Sequence, residues 1–195
     1  MSENRSFDLF VIGAGPGGYT AALLAARRGL RVGISEGSHC GGTCTNRGCI
    51  PAKSYIESIR LMAQMKNARR FGIDPVQAVI SLENLQKRKT RIVSRLVKGI
   101  EYLLAQAGVA VYRVHASFLG ENVIQAGEDR VDASSIIIAT GSRPRRPSLF
   151  ELPGLLTSDE VFDLGRTPAS MIIVGGGVIG MEMAHIFSSL GTEVT

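Results

Sequence analysis

The sequence contains no tryptophan, only three cysteines and no long uninterrupted run of apolar residues. An odd number of cysteines argues against a scaffold held together by disulfides. Without a long apolar run, the chain has no segment that could span a bilayer, and residues 1–8 lack the basic-then-apolar order of a signal peptide. These absences predict a cytoplasmic protein that does not associate with membranes.

Acidic residues are fewer than basic ones, and the formal net charge is +5. Much of the basic excess falls between residues 60 and 98, where it could form a nucleic acid-binding surface. No aromatic residue interrupts the charges between residues 81 and 98, although a surface that stacks on bases needs aromatic rings. We therefore interpret these charges as the solvated face of a helix and expect no nucleic acid partner.

Glycine is abundant, and its positions near the N-terminus indicate a nucleotide-binding turn. Residues 7–13 form an apolar run typical of a buried strand, and residues 19–29 have the pattern of a helix that ends at a glycine. Between them lie Gly13, Gly15 and Gly18 in the spacing G-x-G-x-x-G. In that motif, the glycines allow a tight turn, a close approach of the backbone to a pyrophosphate and close packing of the helix on the strand.

Two further features strengthen this interpretation. Residues 30–36 form a second strand that ends at Glu36, close to the offset expected for an acid that binds a ribose hydroxyl. A second strand–glycine–helix pattern occurs at residues 170–190, with Gly175, Gly177 and Gly180 in the same spacing. The sequence therefore predicts an α/β protein with two Rossmann-like dinucleotide-binding units.

Cys44 and Cys49 lie in a glycine-rich stretch, residues 41–53, that directly precedes a helix. Pro51 suits the first turn of that helix, so Cys49 is expected at or near its N-terminus, where the helix dipole stabilises a thiolate. A structural disulfide is one interpretation of the pair, and a metal site that recruits His39 and Cys40 is another. A redox-active disulfide is the third, and it also explains the glycines and the neighbouring Lys53.

The stretch Gly41-Gly-Thr-Cys44…Gly-Cys49-Ile-Pro…Lys53 resembles the redox motif of the class I pyridine nucleotide–disulfide oxidoreductases. Ile50-Pro-Ala-Lys53 is most similar to the version in members that oxidise dihydrolipoamide. The loop Ala139-Thr-Gly-Ser-Arg-Pro144 resembles a second family motif, which lies beside the flavin. The resemblance implies a redox-active Cys44–Cys49 disulfide, with Cys44 exchanging with substrate and Cys49 facing the flavin.

The same resemblance implies FAD at the first glycine motif and NAD or NADP at the second. It assigns cofactor contacts to Gly13, Gly15, Gly18, Glu36, Gly42, Thr43, Lys53, Ala116, Thr140, Gly141, Ser142, Gly175, Gly177, Ile179, Gly180 and Glu182. It implies no metal. The expected domains are an FAD-binding domain at residues 1–145 and a linker with the beginning of an NAD(P)-binding domain at residues 146–195.

Other segments give expectations of secondary structure. Helices are predicted at residues 54–70, closed by residues 71–75, and at 81–107, with an apolar stripe of Leu85, Ile92, Leu96, Ile100 and Leu103. A strand is predicted at 109–118, a hairpin at 121–126 and 129–133 that turns near Gly127, and buried strands at 135–139 and 170–175. Residues 145–153 are predicted to form a proline-rich linker.

The function implied is electron transfer between a dithiol, dihydrolipoamide in particular, and NAD+ through FAD and the cysteine pair. The implied partners are a lipoyl-bearing component of a 2-oxoacid dehydrogenase complex and a second copy of the chain in a homodimer. One alternative is a glutathione-type disulfide or mercuric reductase that uses NADPH. Another is a non-catalytic FAD-binding redox module.

The sequence ends at Thr195, inside the second nucleotide unit, and contains no match to the family's His–Glu acid/base pair. We therefore expect residues 1–195 alone to be inactive in turnover. The test is an anaerobic assay of dithiol-dependent NAD+ reduction by the purified 195-residue chain with added FAD. Steady turnover by this chain would show the expectation to be wrong.

Overall fold

Alternating apolar residues near the N-terminus form β1 (Arg5–Ile12), the strand on which the main sheet is built. The structure, a computed structural model, describes residues 5–74, 79–146, 148 and 152–195. It divides into two units. The first unit comprises the residues up to Asn46 together with Ser94–Arg143, and the second comprises Arg47–Val93 together with Pro144–Thr195. The domain boundary expected at residues 145 and 146 stays a prediction.

The first unit contains a six-stranded sheet with the strand order β3-β2-β1-β6-β5-β4. Its strands after β1 are β2 (Val32–Ser35), β3 (Ala110–Tyr112), β4 (Ala116–Gly120), β5 (Val123–Ala126) and β6 (Asp129–Ile138). β1 pairs in parallel with β2 and β6, and β2 pairs in parallel with β3. β4, β5 and β6 form an antiparallel meander. This mixed α/β architecture confirms the predicted fold class.

Two apolar clusters lie in the first unit. Helix α1 (Pro16–Arg27) and the end of helix α4 (Leu82–Gln106) contribute to one cluster, which includes Val11, Ile34 and Leu104. The other cluster contains Phe7, Phe10 and Tyr112, whose rings meet with centroids 5.6–6.2 Å apart. The strands that carry the first glycine motif are therefore held by packed side chains.

The second unit contains α3 (Cys49–Lys66), a 3₁₀ turn (Ala68–Phe71), the start of α4, a second 3₁₀ turn (Val161–Asp163) and α5 (Val178–Ser189). β7 (Ser170–Met171) and β8 (Glu193–Val194) pair in parallel beside α5. The core of this unit includes Tyr55, Ile59, Phe162, Ile186 and Phe187. It therefore joins the helix that follows the cysteine motif to the helix of the second glycine motif.

Most of the predicted elements are confirmed with shifted ends, but the predicted strand at residues 109–118 is wrong as a single element. The structure divides it into β3 and β4, which pair with different partners: β3 is parallel to β2, whereas β4 is antiparallel to β5. The break lies at residues 113–115. β3 and β4 lie at opposite edges of the six-stranded sheet, so one continuous strand cannot form both. Sequence periodicity does not reveal which edge a segment joins.

Two predicted buried strands are mostly exposed. Residues 135–138 belong to the second half of β6. This half pairs with β1 along one edge, but β5 pairs with β6 only as far as Asp132, so the other edge has no partner strand among the described residues. Ile137 and Ile138 are accordingly exposed. Of the strand predicted at 170–175, the structure contains only Ser170–Met171. Met171 and Ile173 contact the core of the second unit, whereas Ile172 and Val174 are exposed.

The apolar stripe predicted on the long helix is partly wrong. Leu85 and Ile100 are buried as expected, but Leu96 and Leu103 are exposed, and Leu104 is fully buried instead. Leu85 near the start of the helix and Leu104 near its end belong to different apolar clusters, so the buried residues do not form a single stripe along one helix face. Its flanking cations also make tertiary contacts: Arg88 donates to the Ser54 carbonyl, and Lys89 pairs with Asp163.

The predicted linker at 145–153 and the predicted closing segment at 71–75 lie partly outside the described residues. Helix α3 ends earlier than expected, at Lys66, and a 3₁₀ turn follows it. In the part of the chain that the structure describes, we find no helix with the length and apolar character needed to cross a membrane.

The close packing of α1 on β1 predicts a sharp difference between neighbouring glycines. A Cβ at Gly18 would lie 1.8 Å from the carbonyl oxygen of Gly13, whereas a Cβ at Gly17 would meet nothing within 4 Å. We expect Gly18→Ala to lower the free energy of unfolding by about 1–3 kcal/mol. Gly17→Ala should leave it unchanged or raise it by up to about 1 kcal/mol. Chemical denaturation of both variants measures this difference, and equal effects would contradict the packing argument.

Candidate functional site

The first glycine motif forms a tight turn between β1 and α1. Gly13 has φ +101°, and a Cβ there would lie 2.4 Å from the carbonyl oxygen of Ala139. Helix α1 begins after Gly15 with Pro16 in its first turn, no side-chain cap and no acidic residue in that turn. Its first backbone N–H groups are therefore available to an anion such as a pyrophosphate.

Glu36 follows β2 and its carboxylate reaches the glycine turn. The backbone N–H of Ala14 donates to Oε2 of Glu36 at 3.0 Å, and that of Ser38 donates to Oε1 at 2.9 Å. A carboxylate has about four acceptor positions, so these two bonds leave capacity for a ribose hydroxyl. The structure thus brings the acid and the glycine motif together, as the sequence predicts.

The glycine-rich start of the cysteine stretch packs directly on the first glycine turn. The N–H of Gly41 donates to the Ala14 carbonyl at 2.7 Å, and a Cβ at Gly42 would lie 2.7 Å from the Cα of Gly15. A short helix, α2 (Gly42–Asn46), follows and contains Thr43 and Cys44. The two glycine-rich segments are therefore in backbone contact, which side chains at these positions would prevent.

Asn46 is a residue whose role the sequence analysis missed. Its side-chain amide donates to the carbonyls of Cys40 and Gly42 at 3.1 and 2.9 Å, which closes the loop around α2. Cys40 itself is buried in the cluster that contains Val11 and Ile34. Burial raises the pKa of the Cys40 thiol, and the nearby Glu101 carboxylate raises it further. Cys40 is therefore a packing residue with little thiolate character.

Of the other predicted FAD contacts of the first unit, residues 140–142 lie directly after β6, beside the turn that follows β1, whereas Ala116 is level with the start of β6. The N–H of Ala139 donates to the Ile12 carbonyl, and Thr140, Gly141 and Ser142 follow directly. Ala116 begins β4. The ring of its neighbour His115 packs on Gly37 so closely that a Cβ there would lie 2.3 Å from the imidazole.

Cys49 is the first residue of α3 and is exposed, as the sequence predicts for a cysteine at a helix N-terminus. Gly48 is the N-cap residue of the helix, and its carbonyl accepts from the N–H of Ala52. One turn further along, the ammonium of Lys53 pairs with the Glu182 carboxylate of α5. The structure thus joins two residues that the sequence analysis considered separately.

The second glycine motif repeats the geometry of the first. Gly175 has φ +108°, and a Cβ at Gly180 would lie 2.0 Å from the carbonyl oxygen of Gly175. Helix α5 begins after Gly177, has no side-chain cap and exposes Ile179 in its first turn. A Cβ at Gly175, Gly176 or Gly177 would meet nothing within 4 Å, so the turn has room for a phosphate-bearing ligand.

Both glycine turns fit a dinucleotide. Each has an uncapped helix N-terminus and a glycine at the position where helix and strand touch, and the first also has Glu36 bonded to the turn. Among the described residues, no group of three histidine, cysteine or acidic side chains is placed to hold a metal ion. The donor arrangement favours phosphate and ribose ligands.

A family model for the pyridine nucleotide-disulphide oxidoreductases matches residues 7–195. The chain belongs to this family. It is 40% identical, over 96% of its length, to a dihydrolipoyl dehydrogenase from Bacillus subtilis. It is 39% identical over its whole length to one from Chlorobaculum parvum, and 34% identical over 98% of its length to one from Acholeplasma laidlawii.

The chain spans 43% of the length of the first two relatives and 59% of the third. The comparisons confirm the resemblance proposed from residues 41–53, and within the family the similarity is to dihydrolipoyl dehydrogenases. Enzymes of this type use FAD and NAD(H). The sequence analysis predicted FAD at the first glycine turn and NAD or NADP at the second.

The division into units falls between Asn46 and Arg47, so Cys44 belongs to the first unit and Cys49 to the second. The pairing of the two cysteines and the cofactor contacts of the individual residues stay predictions.

Arg47, which follows Asn46, pairs with Asp159 in the second unit. The sequence analysis gave neither residue a role, because an ion pair over this sequence distance has no local signal.

The different environments of the cysteines predict different reactivities. After anaerobic reduction of the protein, we expect Cys49 to be alkylated by iodoacetamide at least about 100-fold faster than Cys40, because the thiolate is the reactive species and Cys40 reacts only when the fold opens. Mass spectrometry of the tryptic peptides over time measures both rates. Alkylation in denaturant is the control and should remove the difference, whereas similar rates in the native protein would contradict the burial of Cys40.

Proposed function

We propose that this chain provides the FAD turn, the redox cysteines and the beginning of the NAD site of an enzyme that oxidises dihydrolipoamide with NAD+. The observation that carries the proposal is the backbone contact of the cysteine stretch with the first glycine turn, through Gly41, Gly42 and Gly15. It supports a site in which the cysteine motif lies beside the bound flavin cofactor.

The cysteines carry out the thiol chemistry. A substrate thiolate attacks Sγ of Cys44, the Cys44–Cys49 bond breaks, and Cys49 leaves as a thiolate at the N-terminus of α3. The second substrate thiol then attacks the mixed disulfide, which forms the oxidised cyclic product and releases Cys44. Two electrons pass from substrate to the cysteine pair. FAD, held by the first glycine turn and Glu36, would supply the electron transfer from the cysteine pair to NAD+.

Lys53 and Glu182 support this chemistry electrostatically. Lys53 lies one turn after Cys49 on α3, so its ammonium favours negative charge near the start of that helix. The Glu182 side chain is mostly covered, whereas that of Lys53 is more than half exposed. Glu182 thus holds the ammonium in place, and the pair links the helix of Cys49 to the helix of the second glycine turn.

The proposed partners follow from the substrate. A lipoyl group carried by a component of a 2-oxoacid dehydrogenase complex would present the dithiol, and a second copy of the chain would be the partner in a homodimer. The relatives named dihydrolipoyl dehydrogenase support the dithiol substrate. The cytoplasmic location expected from the sequence stays a prediction.

The proposal predicts separate effects on turnover and on cofactor binding. In the complete protein, Cys49→Ser should retain FAD but lose dihydrolipoamide-dependent NAD+ reduction by at least about 1,000-fold, because the disulfide relay is broken. Anaerobic addition of dihydrolipoamide should give a long-wavelength absorbance band in the wild type and none in the variant. This band reports a thiolate against oxidised flavin.

Cys40→Ala is the matched control, because it removes a buried thiol outside the proposed relay. It should keep FAD, the absorbance band and most of the activity. A wild-type protein that binds FAD but shows no response to dihydrolipoamide would contradict the proposed substrate. Loss of FAD in Cys49→Ser would show that Cys49 has a structural role.

A further inference from the structure

The turn that follows β2 holds Glu36 both at its backbone and at its carboxylate. The N–H of Glu36 donates to the carbonyl of Tyr112 at 2.9 Å. Its carboxylate accepts from the N–H of Ala14 through Oε2 and from the N–H of Ser38 through Oε1. The bond from Ser38 closes a three-residue turn, so the backbone of its middle residue, Gly37, determines whether Oε1 reaches that donor.

The imidazole of His115 packs on this middle residue. A Cβ built on Gly37 would lie 2.3 Å from Cε1 of His115 and 2.4 Å from each ring nitrogen, and the three atoms nearest to that position all belong to this ring. The ring thus takes the place that a side chain at Gly37 would occupy. Because glycine has the greatest backbone freedom of any residue, the ring restricts the one residue that separates Glu36 from its donor.

The residues on either side of His115 fix its backbone. Val114 and Ala116 pack against the apolar cluster that contains Phe10 and Tyr112, and Ala116 begins β4, which pairs with β5. His115 itself is exposed, so its ring is not part of the core. Its removal should therefore affect the contact with Gly37 more than the stability of the fold.

This contact joins two segments that are expected to meet the cofactor. Glu36 is the residue predicted to bind a ribose hydroxyl, and Ala116, which follows His115, is another predicted contact of FAD. A carboxylate binds a hydroxyl most favourably when it is already oriented, because a side chain that becomes ordered on binding reduces the affinity. A ring that restricts the turn of Glu36 would remove part of that cost.

We propose that His115 is a positioning residue of the FAD site, whose ring packs on Gly37 and keeps the Glu36 carboxylate oriented for the 2′-hydroxyl of the adenosine ribose. The inference deepens the proposed function and rests on its FAD site. His115 acts through Gly37 and Glu36, so it does not need to touch the cofactor. It acts by the shape of its ring, so another flat ring can replace it.

The test compares FAD with an analogue whose adenosine ribose lacks the 2′-hydroxyl. The complete flavoprotein is equilibrated with a mixture of the two and separated from unbound flavin, and the bound cofactors are extracted and quantified by mass spectrometry. The wild type should prefer FAD by about tenfold or more, because the analogue cannot donate to the Glu36 carboxylate. This preference is measured without turnover.

His115→Ala should reduce the preference for FAD about threefold to tenfold, because Glu36 must then become ordered when the ribose binds. The analogue does not use Glu36 in this way, so its binding does not carry that cost. A ring that only stabilised the fold would weaken both cofactors equally and leave the preference unchanged. An unchanged preference in His115→Ala would therefore overturn the inference.

Two further variants test whether the packing contact itself is responsible. His115→Phe keeps a flat ring and should retain the wild-type preference within about twofold. If it behaved like His115→Ala, a ring nitrogen rather than the packing would be required, and the inference would be wrong.

Gly37→Ala places a methyl group where the ring now lies, so it should reduce the preference by a factor similar to that of His115→Ala. Adding His115→Ala to Gly37→Ala should then change the preference by less than about twofold, because both changes disrupt the same contact. Effects that multiply in the double variant would show that the two residues act independently and would overturn the inference.

Arg113→Gln is the matched control in the same segment. Arg113 lies two residues before His115, but its guanidinium Nη1 lies 2.9 Å from Oε1 of Glu101 on α4. Loss of this charge acts equally on FAD and on the analogue, so the preference should stay within about twofold of the wild type. A reduction as large as that in His115→Ala would contradict a specific role for the His115 ring.

The same measurement separates failure of the inference from failure of the proposed function. A wild-type protein that binds no FAD, or that binds FAD and the analogue equally, would overturn the proposed FAD site and the inference with it. A wild-type preference that persists in His115→Ala would overturn the inference alone. A preference that depends on His115, in a protein that does not oxidise dihydrolipoamide, would support the inference and overturn the proposed substrate.

Discussion

Close approach of backbone to backbone is the constraint on which the proposed site depends. At Gly13, Gly18 and Gly42, a Cβ would lie 1.8–2.7 Å from main-chain atoms of another segment. Backbone atoms cannot move away as a flexible side chain can, so these contacts exist only because glycine has no side chain. They bring the turn after β1, the start of α1 and the cysteine stretch together, which leaves an uncapped helix N-terminus beside the stretch that carries Cys44.

The second unit also contains a close contact between a glycine and the backbone, and there it positions a helix that carries a charged residue. The contact of Gly180 with the Gly175 carbonyl sets α5 against its strand, and α5 then carries Glu182 to Lys53 of α3. Between the two cysteines, Arg47 forms a second ion pair with a residue distant in sequence, Asp159. The residues around Cys49 are therefore organised by ion pairs to distant segments. Exposed ion pairs of this kind contribute little to the free energy of unfolding. Their main consequence is that they fix where the charged side chains lie.

Much of the fold was accessible from the sequence because its strongest signals are local. The two glycine motifs, the helix after Pro51 and the hairpin near Gly127 depend on backbone restrictions and short-range periodicity, and the structure contains all of them. Burial was harder to predict. Ile137 and Ile138 are exposed although their segment is strongly apolar, because the pairing of β5 ends before that half of β6. Leu104 is buried in place of Leu103 because α4 packs on two clusters along its length.

By itself, the sequence determined the family, the glycine turns, the position of Cys49 at a helix start and the cofactors that these features imply. Each of these depends on residue type at a fixed short spacing, since helix dipoles, tight turns and thiol chemistry act over a few residues. Only the tertiary structure decided that Glu36 bonds the first turn, that Lys53 meets Glu182 and that Arg47 meets Asp159. Those contacts join residues 22, 129 and 112 positions apart, and no local pattern specifies a partner at such a distance because the packing of whole helices and strands brings it near.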